Sequence, residues 1–143
     1  MAIIYKENTV PGAAEFFELF ESTGWNAEYG LNQQELHESM SRSWYMCSAH
    51  DEEKLVGFGR VLSDGKLHAL ITEMIILPEY RGRGIGKEIL KKLTDVCAAN
   101  KIRDIQLFSA KGKAGFYEKY GFQRRPEDGP GMEIKYKPGK ATE

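Results

Sequence analysis

The sequence has little cysteine, no excess of one charge and no long apolar run, and each shortage narrows what the chain can be. Its two cysteines, Cys47 and Cys97, lie far apart and form neither a C-x-x-C pair nor a Cys/His cluster. That excludes a disulfide framework and zinc-type ligand spacing, and no metal site is expected. The cysteines are expected to be small buried hydrophobes in a reducing compartment. The 20 basic and 21 acidic residues nearly cancel, to a formal charge of −1. No whole-chain field draws the protein to nucleic acid or an anionic membrane, so any anion site must be local. No apolar run approaches the roughly 20 residues that cross a bilayer. The opening Met1-Ala2-Ile3-Ile4-Tyr5-Lys6-Glu7 becomes charged too soon for a secretory segment. The cytoplasm is the expected compartment, and neither a nucleic acid nor a membrane is an expected partner. There are no internal repeats, low-complexity tracts or domain linkers.

What is present is the composition of one globular domain: 143 residues, 41% hydrophobic, 29% charged and 11% aromatic. A chain of this size buries about 68–70% of the surface its unfolded form exposes, enough for a core without staples. Residues 1–143 are read as a single domain, with Pro138 to Glu143 a frayed polar tail.

Hydrophobic period and turn signals predict the order β-α-α-β-β-β-α-β-α-β-β. Ile3 to Glu7 is a strand, and Thr9 and Pro11 start a helix that Gly24 ends. Asn32 and Glu35 have capping-box spacing ahead of Leu36, Met40 and Trp44, which repeat at four-residue steps and predict a helix over about Gln33 to Ser43. Trp44 to Ser48, Leu55 to Leu62 and Leu67 to Leu77 form an antiparallel meander, with Ser63-Asp64-Gly65-Lys66 as its second turn. Ile85, Ile89, Leu93, Val96 and Cys97 mark the face of a helix to about Asn100. Ile102 to Phe108 is a further strand, parallel to Leu67 to Leu77 across that helix. A short helix over about Gly112 to Tyr120 follows, and then a closing hairpin of Phe122 to Arg125 with Met132 to Tyr136.

Chemistry concentrates where the third meander strand ends. Ile75-Ile76-Leu77-Pro78-Glu79-Tyr80-Arg81-Gly82-Arg83-Gly84-Ile85-Gly86-Lys87 runs from a strand through alternating glycines straight into a helix. Unpaired backbone N–H groups and the positive end of the helix dipole therefore converge on one spot, and Gly82, Gly84 and Gly86 let a ligand reach them. Arg81 and Arg83 add charge, so the expected ligand is a phosphate or pyrophosphate. Spacing excludes a Walker loop, because Glu88 follows Lys87 and Arg81 stands where the first glycine belongs. A Rossmann fingerprint would open the first βα unit as G-x-G-x-x-G, whereas Gly82-x-Gly84-x-Gly86 follows an antiparallel meander.

Arg81-Gly82-Arg83-Gly84-Ile85-Gly86 resembles the [Q/R]-x-x-G-x-[G/A] motif of the GNAT acyltransferase superfamily, and Leu77-Pro78-Glu79-Tyr80 is similar to that family's lead-in. Ala114-Gly115-Phe116-Tyr117-Glu118-Lys119-Tyr120-Gly121-Phe122 resembles its F-Y-x-x-x-G-F segment. The likeness covers about Ile3 to Lys137. It implies an α/β (α+β) GNAT-like mixed central sheet of about six to seven strands flanked by about four helices. It implies transfer of acetyl from acetyl-CoA to a primary amine by direct attack in a ternary complex; the alternative is a non-catalytic acyl-CoA-binding or sensor module.

By the same resemblance the loop of Arg81, Gly82, Arg83, Gly84, Ile85, Gly86 and Lys87 holds the coenzyme A pyrophosphate. The backbone of Met74, Ile75, Ile76 and Leu77 pairs with the pantetheine arm, Ser109 and Phe116 contact the cofactor, and Tyr117 donates a proton to the leaving thiolate. A phenol, with a reference pKa near 10, keeps its proton until sulfur develops charge. Glu73 is the candidate base, since a carboxylate inside an apolar strand is costly unless water or substrate reaches it; the alternative is a salt-bridged or solvent-facing strand residue. Strict alternation places it with Ile71 and Ile75; a β-bulge would change that facing. Aryl-alkylamine relatives carry histidines nearby, but their positions hold Leu70 and Thr72 here. His68 is read as a strand-end surface residue, and His37 and His50 carry no constellation. Trp25 and Tyr29 are candidates for the acceptor wall, and Trp44 is expected to pack along its helix face. A homodimer through an open sheet edge or the final hairpin is compatible with the family pattern.

Overall fold

The structure, a computed structural model, describes residues 2–136. The tail expected at Pro138 to Glu143 lies outside the described residues. Strand β1 (Ile3–Glu7) precedes helices α1 (Ala13–Glu21), α2 (Asn26–Tyr29) and α3 (Gln33–Ser41). The meander β2 (Tyr45–Asp51), β3 (Lys54–Ser63) and β4 (His68–Ile76) follows, then a 3-10 turn (Pro78–Tyr80), α4 (Ile85–Ala99), β5 (Asp104–Leu107) and α5 (Ala114–Glu118). The sheet order is β1-β2-β3-β4-β5, antiparallel up to β4, with β5 parallel to β4 as the crossover helix requires.

Capping chemistry sets the helix starts. Asn32 Oδ1 accepts the Glu35 N–H at 2.9 Å and Glu35 Oε1 accepts the Asn32 N–H at 3.0 Å, completing the expected box. Helix α1 has half of such a box, with Glu15 Oε1 accepting the Gly12 N–H at 2.9 Å.

Helices cover both faces of the sheet. On one, Ile85, Ile89, Leu90, Leu93 and Cys97 of α4 pack on Tyr45, Cys47, Val61 and Ile71. On the other, Phe16, Leu19, Phe20, Leu36 and Met40 of α1 and α3 pack on Met46, Phe58 and Ile75. Burying each large apolar side chain stabilises the fold by about 1.5–3 kcal/mol relative to exposure. Helix α4 comes close because β3 carries glycine where it crosses: a Cβ on Gly59 would meet Met74 Sδ at 2.6 Å and Ile89 Cγ2 at 2.8 Å. Both cysteines are buried and free, and burial pushes the Cys47 thiol up to about 12.

Three expectations need correction. The sheet has five strands among the described residues, not six or seven, because residues 122–136 form no hairpin. Pro126, Gly129, Pro130 and Gly131 crowd the intended turn, Arg125 Nε bonds back to the Gly129 carbonyl at 3.2 Å, and Met132, Ile134 and Tyr136 stay exposed. Among the described residues there are five α-helices rather than four, because Gly30 at φ +64° closes an additional turn at α2. Trp44 does not extend the face of α3. Its N–H bonds to the Val61 carbonyl at 3.0 Å, and it packs on the α4 side, opposite Leu36 and Met40.

Candidate active site

The site begins with an irregularity in β4. Phe58 pairs with Ile75 and Arg60 with Thr72, so Glu73 and Met74 together face Gly59. This is a β-bulge, and Glu73 takes φ +50° within it. The inserted residue turns Ile71, Met74 and Ile76 toward α4 and Ile75 toward α1 and α3, so alternation does not keep Ile71 and Ile75 together. Glu73 points to the α3 side. Its Oε1 accepts from Arg60 Nε at 2.7 Å, and its Oε2 accepts the Thr72 hydroxyl at 3.0 Å. Arg60 also donates Nη1 to the Ser39 carbonyl at 2.9 Å and Nη2 to Ser39 Oγ at 3.4 Å.

Beyond the bulge β4 loses a neighbour. Its pairing with β5 runs from His68 with Asp104 to Ile71 with Leu107 and stops. The Leu77 N–H still reaches the Val56 carbonyl at 2.9 Å on the β3 side. By strand alternation the amides and carbonyls of Ile76 and Met74 face the opposite, open edge. Arg81 lies along that edge, its Nε donating to the Ile76 carbonyl at 3.2 Å.

The loop is braced at its entry. Tyr80 donates its hydroxyl to Asp51 Oδ2 at 2.6 Å, and its ring lies 5.1 Å from the Arg83 guanidinium and 5.7 Å from Lys54 Nζ. Gly82 and Gly84 follow with φ of +77° and +82°, with open space where side chains would stand. Only glycine takes these angles without strain. The first intrahelical bond of α4 runs from the Glu88 N–H to the Gly84 carbonyl at 3.1 Å, leaving the first-turn amides, from Ile85 to Lys87, directed out of the helix end. With Arg81, Arg83 and Lys87 adjacent, these donors fit a pyrophosphate. Ile85 itself is buried, so only its backbone can serve a ligand. A Cβ on Gly86 would stand 3.7 Å from both Ile76 Cγ1 and Phe116 Cζ, so the helix start, the end of β4 and α5 converge there.

Helix α5 supplies Tyr117, edge-on to Phe116 at 5.1 Å and to Phe122 at 6.0 Å between ring centres. Burial raises its phenol above the usual value, holding it protonated. Tyr117 and Ser109 line a groove of about 700 Å³ along β5, α4 and α5; the glycine loop is not part of that groove.

A family model of the Acetyltransferase (GNAT) domain matches residues 42–124, from the end of α3 to beyond α5. The chain belongs to the GNAT family. It is 37% identical over 81 residues to GCN5-related N-acetyltransferase 2, chloroplastic, of Arabidopsis thaliana, covering 57% of this chain and 31% of that protein. It is also 37% identical over 79 residues to the uncharacterized N-acetyltransferase ycf52 of Pyropia yezoensis, covering 55% and 45%. The chain thus spans less than half the length of the curated relatives it matches. Among solved structures, a GNAT family acetyltransferase, SP0256 of Streptococcus pneumoniae, superposes with a TM-score of 0.78 at 23% identity, covering 96% of this chain and 99% of that one. That likeness speaks to the fold.

In this GNAT domain the structure brings together the residues expected at the loop, the backbone of Met74 to Leu77 and Phe116. It separates Tyr117, which packs with the α4 cluster, from Glu73, which turns toward α3. Ser109 is exposed beyond β5. Trp25 packs edge-on to Phe20 at 6.0 Å, and Tyr29 lies under Lys135 Nζ at 5.6 Å, which draws the 131–136 segment toward α2. Sequence reasoning passed over Arg60 and Tyr80. Arg60 had the same signal as Glu73, a charge inside an apolar strand, and the two charges are complementary.

Proposed function

We propose that this domain transfers the acetyl group of acetyl-CoA to a primary amine by direct attack in a ternary complex. The observation that carries the proposal is the unpaired half of β4 running directly into the glycine cradle. An extended pantetheine arm can pair with Met74 and Ile76 while the pyrophosphate rests on the amides of Gly84 to Lys87. Acetyl-CoA supplies an activated acyl group and a thiolate leaving group. The amine nitrogen bonds to the acyl carbon, the carbon–sulfur bond breaks, and sulfur receives the Tyr117 hydroxyl proton, which solvent replaces once the products leave. Glu73 receives the amine's proton, directly or through a water, and passes it to solvent; each of its oxygens keeps a second lone pair beyond the Arg60 and Thr72 bonds. Ser109 and Phe116 support the cofactor from the β5 and α5 sides.

The proposed setting is the cytoplasm, with acetyl-CoA and an amine as the partners and no nucleic acid, membrane or metal involved. The open edge of β5 leaves room for a homodimer. One observation favours a second reading, a non-catalytic acyl-CoA-binding or sensor module: both Glu73 oxygens already have partners.

Thiol release from acetyl-CoA across a panel of primary amines separates the two. Amine-dependent release, abolished in Gly84→Glu, is the expected result. Tight acetyl-CoA binding with no release above the hydrolysis background would overturn the enzyme reading and leave the sensor.

A further inference from the structure

We propose that Arg60 is a positioning residue that holds the β4 bulge in register and thereby shapes the edge on which the acyl carrier lies. The proposal rests on the acetyl-CoA reading above for its functional meaning. Among the described residues, four other than glycine have positive φ: Asn8, Glu52, Lys101 and Glu73. The first three lie in exposed turns or bends, whereas Glu73 sits inside a strand, where nothing local favours that angle. The restraint comes from across the sheet. Arg60 is only 8% exposed, and its guanidinium is fixed at one end by the Ser39 carbonyl and hydroxyl on α3 and at the other by Glu73.

The register has a direct consequence for the site. A one-residue slip in a strand moves every following side chain to the opposite face. With the bulge in place, Ile76 turns to α4, beside Gly86, and the carbonyl of Ile76 reaches Arg81. Without it, Ile75 and Ile76 would exchange faces and the glycine loop would lose its seat. Ser39 links this device to α3, so Arg60 couples the helix layer opposite α4 to the cofactor edge.

Glycine adopts φ near +50° without strain, and this supplies a rescue test. Four variants are compared: Arg60→Met, Arg60→Lys, Arg60→Met with Glu73→Gln, and Arg60→Met with Glu73→Gly. Two readouts are used: acetyl-CoA affinity by calorimetry, and amide hydrogen exchange at Met74 to Ile76 in ligand-free protein. Arg60→Met is expected to weaken acetyl-CoA binding about tenfold or more and to speed exchange at Met74 to Ile76 while β2 keeps its protection. Arg60→Lys should fall between it and the wild type.

Pairing Arg60→Met with Glu73→Gln removes the stranded charge but keeps the strained angle, so recovery should be partial. Pairing it with Glu73→Gly removes both and should bring affinity to within about threefold of wild type. If Arg60→Met alone does not fold, the two double variants, neither of which buries an unpaired charge, carry the comparison. Unchanged exchange in a folded Arg60→Met, or a Gln partner that rescues as fully as Gly, would overturn the proposal. Failure of wild-type protein to bind acetyl-CoA would instead strike the functional reading, and ligand-free exchange would still decide the role of Arg60.

Discussion

The two halves of β4 share a strand and differ in what holds them. Ala69 to Ile71 pair on one edge with β3 and on the other with β5. Ile75 and Ile76 keep β3 alone, and the strand enters this half through the bulge of Glu73 and Met74, where an ion pair joins Glu73 to Arg60. The first half is fully satisfied by the protein, and the second leaves backbone donors and acceptors exposed beside a helix N-terminus. An unpaired strand edge inside a sheet is normally a liability. Here it runs into the open, glycine-lined N-terminus of α4, and under the proposed function the same missing pairing serves as a binding surface.

Removing the cradle should break this comparison most severely. Gly84→Glu places a carboxylate and a strained φ where the pyrophosphate would rest, and acetyl-CoA affinity should fall about a hundredfold or more by calorimetry. Tyr117→Phe should leave affinity within about threefold while lowering kcat about a hundredfold, the usual weight of a general acid. The direction of its pKa shift sets the pH behaviour. Because burial raises the phenol above 10, the wild-type rate should hold to about pH 10 and decline above it, and the phenylalanine variant should lack that decline. The phenol's contribution to stability follows the same sign, full below pH 10 and lost as pH rises through its higher folded value.

Tyr80→Phe removes one hydrogen bond from the loop's entry and should weaken acetyl-CoA about fivefold, in line with roughly 1 kcal/mol for such a bond. Asn32→Ala sharpens the contrast from outside the site. It should cost about 1 kcal/mol of stability in thermal or urea melts through the lost cap, with acetyl-CoA affinity unchanged.

Sequence reasoning reached the parts of the candidate site that depend on local chain order. The glycines, the strand before them and the α4 face lie within a short stretch, and the parallel β4 and β5 pair follows from the crossover. Alternation alone did not give the facing of Glu73, because a bulge is a relation between strands; the bulge that changes it was open only through the family resemblance. Arg60 was hidden for the same reason, its partner lying 13 residues away across the sheet. Trp44 continued a helical spacing past the point where the chain had already turned into β2, so period alone assigned it to the wrong layer. The final hairpin failed differently. Met132, Ile134 and Tyr136 alternate as a strand would, but the glycines and prolines before them do not bring the segment back onto β5.

Under the proposed function acetyl-CoA lies along the unpaired half of β4. Amide hydrogen exchange of the full chain with and without saturating acetyl-CoA tests it residue by residue. New protection is expected at Met74 and Ile76 and across Gly84 to Lys87, with Leu70 and Ile71 unchanged. Protection confined to the paired half of β4, or to the groove beside Ser109 and Gly121 with the Gly84 to Lys87 amides unaffected, would contradict it.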